Sequence, residues 1–128
     1  MNLCDYNTIR DLLARHGFHF SKSMGQNFLI DPEVPRRIAE ASGADAGCGV
    51  LEIGPGIGAL TEQLARVAGQ VLAFEIDDRL IEVLADTLSD YPHVEVVHQD
   101  FLEADVNATV SQLKTTWDQV LVCANLPY

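Results

Sequence analysis

The hydrophobic positions change their period close to residue 49. Before it, Ile9, Leu12, Leu13 and His16 follow the i, i+3, i+4, i+7 spacing of a helix face, with Asn7 as the expected N-cap and Gly17 as the stop. Phe18 to Ile30, F-H-F-S-K-S-M-G-Q-N-F-L-I, has no clear period and reads as an ordered loop. Asp31-Pro32-Glu33 opens a second helix, with Asp31 as N-cap, Pro32 at the first helical position and an acid in the first turn. Val34, Ile38 and Ala41 form its expected buried stripe, and Gly43 stops it.

From Gly49 onward short apolar runs alternate with helical segments. Strands are expected over Val50–Ile53, Gln70–Ile76, Val94–His98 and Gln119–Ala124. A helix over about Ala59–Ala68 turns Leu60, Leu64 and Val67 inward. Asp78 caps the next, with Leu80, Ile81, Leu84 and Leu88 on one face, and a weaker helix covers about Asn107–Lys114. This alternation predicts right-handed βαβ units and a parallel sheet, in the order 3-2-1-4. Strand four is apolar, and only four residues follow it. A bare apolar edge invites pairing, so the chain is expected to be the front part of a longer protein, or else to self-associate through that edge.

Composition narrows the class. The 128 residues, 48% hydrophobic, suffice for one globular core, and no apolar run reaches the length of a membrane span. The start, M-N-L-C-D-Y-N, lacks the pattern of a signal peptide. Cys4, Cys48 and Cys123 are odd in number and widely spaced, which fits neither a disulfide framework nor a zinc site and suggests a reducing cytoplasm. Residues 1–42 hold five basic and five acidic residues, whereas residues 43–128 hold three basic and fourteen acidic. The body therefore carries the whole net charge of −11, and any nucleic-acid contact is expected from the N-terminal arm (Arg10, Arg15, Lys22) or from protein outside this chain.

The candidate chemistry centres on V-L-E-I-G-P-G-I-G-A-L, Val50 to Leu60. Three glycines at alternate positions, Gly54, Gly56 and Gly58, form a turn between a strand and a helix whose backbone an external ligand can touch. Glu75 ends strand two 21 residues after Gly54, where an acid can accept from ribose hydroxyls. Asp100, followed by Phe101, ends strand three, where an acid can accept from an adenine amino group. The spacing is G-x-G-x-G rather than the dinucleotide G-x-G-x-x-G, no basic residue accompanies the turn, and Glu52 just before it would repel phosphate. An acidic neighbourhood favours a ligand with a cationic centre and an adenosine, which selects S-adenosylmethionine over a dinucleotide.

Asn125-Leu126-Pro127-Tyr128 follows strand four and falls beside the glycine turn in the expected strand order. An exocyclic amino group on a base is a poor nucleophile because its lone pair is delocalised. The Asn125 side-chain oxygen and the backbone carbonyl of Leu126 or Pro127 can accept its hydrogens, Pro127 stiffens the loop, and Tyr128 offers a face to an extruded base. Such catalysis is mostly positioning and needs no metal.

Five motifs in order, G-Q-N-F-L-I-D (Gly25–Asp31), L-E-I-G-P-G-I-G-A-L-T (Leu51–Thr61), F-E-I-D (Phe74–Asp77), Q-D-F-L (Gln99–Leu102) and N-L-P-Y (Asn125–Tyr128), resemble those of the ribosomal RNA adenine dimethyltransferases. G-Q-N-F-L with N-L-P-Y is similar to the branch acting on small-subunit rRNA; the large-subunit branch typically shows S-Q-N-F and N-I-P. The resemblance implies an α/β, Rossmann-like methyltransferase fold that stops here after its fourth strand. It divides the chain into an N-terminal arm and cofactor-covering loop (1–48) and the front of the methyltransferase domain (49–128). It implies that Asn27, Leu29, Gly54, Gly56, Glu75, Ile76, Asp100, Phe101 and Asn125 bind S-adenosylmethionine, with Phe20 and Phe28 as apolar cover. Asn125, Pro127 and Tyr128 would present the target base. The implied partner is small-subunit rRNA within the pre-ribosomal small subunit. The family continues past N-L-P-Y, so the 128 residues alone are expected to bind cofactor weakly at best and not to turn over unless the missing part is supplied.

Overall fold

The computed structural model describes Leu3, residues 5–17 and residues 33–124. Helix α1 spans Tyr6–Arg15 and α2 Glu33–Ser42. The remainder alternates: β1 Cys48–Ile53, α3 Ala59–Val67, β2 Gln70–Glu75, α4 Asp78–Thr87, β3 Val94–His98, a 3-10 turn Phe101–Glu103, α5 Val106–Lys114 and β4 Gln119–Ala124. All strand pairs are parallel, in the order β3-β2-β1-β4. β1 is therefore flanked on both sides, with Ile53 opposite Phe74 of β2 and Ala124 of β4.

Alternation along β1 sends successive side chains to opposite faces. Val50 joins Leu60, Leu64, Val71 and Cys123 in the core beneath α2 and α3, whereas Leu51 joins Leu72, Phe74 and Leu113 beneath α5. A third cluster docks α1 by Ile9, Leu12 and Leu13 against Ile57, Ala59 and Val83. Burying a large aliphatic side chain stabilises a fold by about 1.5–3 kcal/mol, so α1 is firmly attached behind the glycine turn. His16 adds a bond from its Nε2 to Asp86 Oδ2 at 3.2 Å. Trp117 closes the N-terminal edge of the sheet: a Cβ on Gly49 would stand 2.7 Å from its ring, and its indole N–H donates to Gln70 at 2.8 Å.

Several expectations shift by a residue or two. The cap of α1 is Asp5 rather than Asn7, because the Asp5 carboxylate reaches the Thr8 amide three positions on, at 3.0 Å. Asp77 likewise caps α4 in place of Asp78, accepting from Arg79 N at 3.0 Å. In α2 the buried residues are Pro35 and Ala39, with Val34 and Ile38 half-buried and Ala41 exposed. Pro35 is accommodated in the first turn, where its missing N–H would have had no helical partner. In α3, Val67 is 42% exposed and Ala65 is buried instead. In α4, Val83 shares the buried face with Leu84 and Leu88, while Leu80 and Ile81 are half-buried. The expected Asp31-Pro32 cap and the Phe18–Ile30 loop lie outside the described residues.

Candidate functional site

The turn between β1 and α3 uses left-handed backbone at all three glycines: φ is 69° at Gly54, 61° at Gly56 and 95° at Gly58. Side chains disfavour this region, so the alternating glycines are a backbone requirement. Gly58 is also pinned by space, since a Cβ there would meet Thr87 Oγ1 at 3.0 Å and Leu84 Cδ2 at 3.2 Å. At Gly54 a Cβ would meet nothing within 4 Å, because this residue faces an open pocket.

That pocket, about 460 Å³, lies across the C-terminal ends of β1, β2 and β3. Its walls are Ile53 and Gly54 from the first strand end, Phe74, Glu75 and Ile76 from the second, and Gln99 to Leu102 from the third. Such a volume falls within the range of small-molecule sites. The walls are mainly apolar. Phe74 and Phe101 meet edge to face at 5.6 Å, and Ile76 and Leu102 form rims that are 65% and 90% exposed. The charged walls are both acids, Glu75 and Asp100.

Glu75 is buried and organises the turn. Its Oε1 accepts from the Gly56 amide at 3.2 Å, and its Oε2 accepts from the Ile76 and Asp77 amides at 2.9 and 3.1 Å. Asp100 caps the 3-10 turn by accepting from Leu102 N at 2.9 Å, which fixes Phe101 against Phe74. The structure thus brings Gly54, Glu75, Ile76, Asp100 and Phe101 together in one pocket, and Gly56 contributes through its bond to Glu75. Asn27, Leu29, Asn125, Pro127 and Tyr128 lie outside the described residues, as do Phe20 and Phe28.

Glu52 departs from its expected role. It is fully buried and accepts a hydrogen bond from the Thr61 hydroxyl of α3, so it is not an open charge beside the turn. Burial pushes its carboxyl up to about 7; the Thr61 bond opposes this and the charge of Glu75 adds to it. The acidity at the pocket comes from Glu75 and Asp100. Four further walls, Ile53, Phe74, Gln99 and Leu102, were not anticipated as ligand residues. Each adjoins a residue that was, so adjacency to the anticipated residues at the strand ends is the signal that could have found them.

A parallel sheet with a glycine turn after its central strand and a pocket across three strand ends defines the Rossmann-like fold of the methyltransferase class. More narrowly, residues 17–128 match the family model described as ribosomal RNA adenine dimethylase, and the chain belongs to that family. It is 57% identical over 119 residues to ribosomal RNA small subunit methyltransferase A of Enterococcus faecalis, covering 93% of this chain and 40% of that one. It is 51% identical over all 128 residues to the protein of the same name from Streptococcus pyogenes serotype M1, covering 44% of it. Among solved structures, the 23S rRNA methyltransferase ErmE is similar at a TM-score of 0.57 and 32% identity, over 75% of this chain and 47% of that one. A dimethyladenosine transferase from Plasmodium falciparum is similar at 0.60 and 26%, over 77% and 33%. The chain spans about two fifths of the length of the curated relatives it matches.

Proposed function

We propose that the pocket binds S-adenosylmethionine, and that the chain is the cofactor-holding part of an enzyme that dimethylates N6 of two adjacent adenosines near the 3′ end of small-subunit rRNA. The observation that carries this reading is the Glu75 carboxylate, which holds the Gly56 amide of the glycine turn and lines the pocket together with Asp100 from the neighbouring strand end. An apolar pocket with an acid at each of two strand ends suits an adenosine whose ribose meets Glu75 and whose amino group meets Asp100. Among the described residues no wall is basic, which disfavours a phosphate-bearing dinucleotide. A carboxylate offers about four acceptor positions, and three in Glu75 already hold backbone amides. One ribose hydroxyl can therefore bind with the turn unchanged, and a second requires the longest of these bonds, to Gly56, to open.

When bound, the cofactor supplies an electrophilic methyl group on a sulfonium. The chain's residues orient and exclude water: Ile76, Phe101 and Leu102 provide apolar contact, and Asn27 and Leu29 belong to the loop proposed to cover the pocket. Asn125 and the carbonyl of Leu126 or Pro127 accept the hydrogens of the target amino group, and Tyr128 stacks on the adenine. Residues 1–48 serve as arm and cover, and residues 49–128 as the front of the methyltransferase domain. The setting is ribosome assembly in the cytoplasm, on the pre-ribosomal small subunit.

A large-subunit rRNA substrate is the second reading, favoured by the likeness to ErmE. The identities of 51–57% to small-subunit enzymes outweigh it. Among the described residues no strand pairs with the outer edge of β4, where Val122 is 54% exposed, and this supports self-association of this chain by strand pairing. Incubating the 128-residue chain with radiolabelled S-adenosylmethionine and either immature small or immature large subunits, with ultraviolet cross-linking of the cofactor, tests the reading. Cofactor cross-linking at the pocket is expected, with methyl transfer to small rather than large subunits only once the rest of the protein is supplied; cross-linking elsewhere contradicts it.

A further inference from the structure

Glu52 is used by neither the pocket nor the apolar core. It lies in β1 two residues before Gly54 and has no exposed surface. Its Oε1 accepts from Thr61 in the first turns of α3, so one side chain ties the strand before the glycine turn to the helix after it. Its Oε2 is buried with no hydrogen-bond partner. A buried oxygen in that state is costly and calls for an explanation beyond packing.

The neighbours define what that use is. From β2 comes Glu75, the acid that holds the Gly56 amide. From β4 comes Cys123, opposite Glu52 in the strand register, its thiol pushed up by burial and by Glu52 and so kept neutral. From α3 comes the uncharged Thr61. The described groups around Glu52 therefore include a second acid and no cation to balance it. Two carboxyls flank one turn, and Glu52, the one with no exposed surface and an unpartnered oxygen, is best kept protonated while the turn is empty.

We propose that Glu52 is a positioning residue of the glycine turn whose carboxyl releases its proton to solvent when a cationic ligand settles on that turn. This rests on the S-adenosylmethionine reading. A sulfonium or ammonium near Glu75 offsets the repulsion that disfavours a second negative charge. The ionised carboxylate keeps Thr61 as a donor, now in a charge-assisted bond, and fastens β1 to α3 more tightly around the ligand. No covalent bond to the ligand forms or breaks; one O–H bond of Glu52 is exchanged for one in the buffer.

The test is calorimetric titration of S-adenosylmethionine into the 128-residue chain at pH 7, in two buffers of different ionisation enthalpy, for the wild type and Glu52→Gln. With a carboxyl near 7, wild type should release about half a proton more than Glu52→Gln, a difference that cancels the ligand's own amino titration. The affinity of the wild type relative to the variant should rise by up to about tenfold from pH 6 to pH 8. Because the variant can fail to fold, the carboxyl-carbon NMR shift of Glu52 is followed in the wild type alone, and should move to the ionised position on saturation. Binding with no difference in proton release and no carboxyl shift overturns this inference and leaves the cofactor reading standing. No binding at all overturns both.

Discussion

The Glu75 side chain accepts the Gly56 amide at 3.2 Å, joining the last residue of β2 to the turn that follows β1. The residue proposed to read the ligand is thus also the residue that holds the ligand's cradle. Its two remaining bonds, to the Ile76 and Asp77 amides, hold the start of the next connection in the same grip.

Glu75→Ala should therefore lose both functions. Hydrogen bonds to a charged group contribute about 1.5–3 kcal/mol each, so S-adenosylmethionine affinity should fall by at least tenfold and the melting temperature should also drop. Tyr128→Ala should leave cofactor affinity within about twofold and act on the base step. Titration calorimetry on both variants checks the division; equal losses would contradict it.

The glycines of the turn should separate by environment. Gly58→Ala forces a left-handed residue into contact with Thr87 and Leu84, and should cost about 2 kcal/mol or more in urea unfolding. Gly54→Ala has room for its methyl and should cost only the backbone strain, about 1–2 kcal/mol. That methyl projects toward the pocket, so Gly54→Ala should weaken ligand binding more than its stability loss explains.

Stability should carry the signature of Glu52. Its folded carboxyl, near 7, lies above the ordinary 4.5, so the folded state holds the proton more tightly than the unfolded state. The resulting contribution is fully present below about pH 4.5 and is lost as pH rises to about 7, by about 3 kcal/mol. Glu52→Gln has no such proton. The stability of the wild type relative to the variant should decline over that window and then stay level, as measured by urea unfolding at several pH values.

The strands, their helices and the glycine turn were legible because each rests on short-range pattern: apolar runs of strand length, helical spacing between them, and glycines where φ must be positive. The sheet order follows from the rule for such alternating folds. β3 and β4 have the bounds expected of them. The helix caps slipped because two capping side chains adjoin each start, and only geometry decides whether Asp5 or Asn7, Asp77 or Asp78, reaches the open amide. The buried face of α2 slipped because a proline inside the first turn does not look like a core residue. Glu52 could not be read from sequence at all. Its position beside the turn suggested an exposed charge, while its burial follows from pleat parity and from α3 lying over that face of the sheet.

The opposite edge of the sheet supplies an internal control. Trp117, the single tryptophan, covers Gly49 and Gly69 there, far from the strand ends that form the pocket. Trp117→Phe should lower the melting temperature by leaving space over both glycines and by removing the donor to Gln70, yet should leave S-adenosylmethionine affinity within about twofold.

The most direct measurement is an amide NMR titration of the 128-residue chain with S-adenosylmethionine. Saturable shifts are predicted at Gly54, Gly56, Ile76 and Leu102, with Gly69, Glu95 and the Trp117 indole unmoved. Shifts confined to the Trp117 edge, or none at the glycine turn at saturating ligand, would contradict the assignment of this pocket.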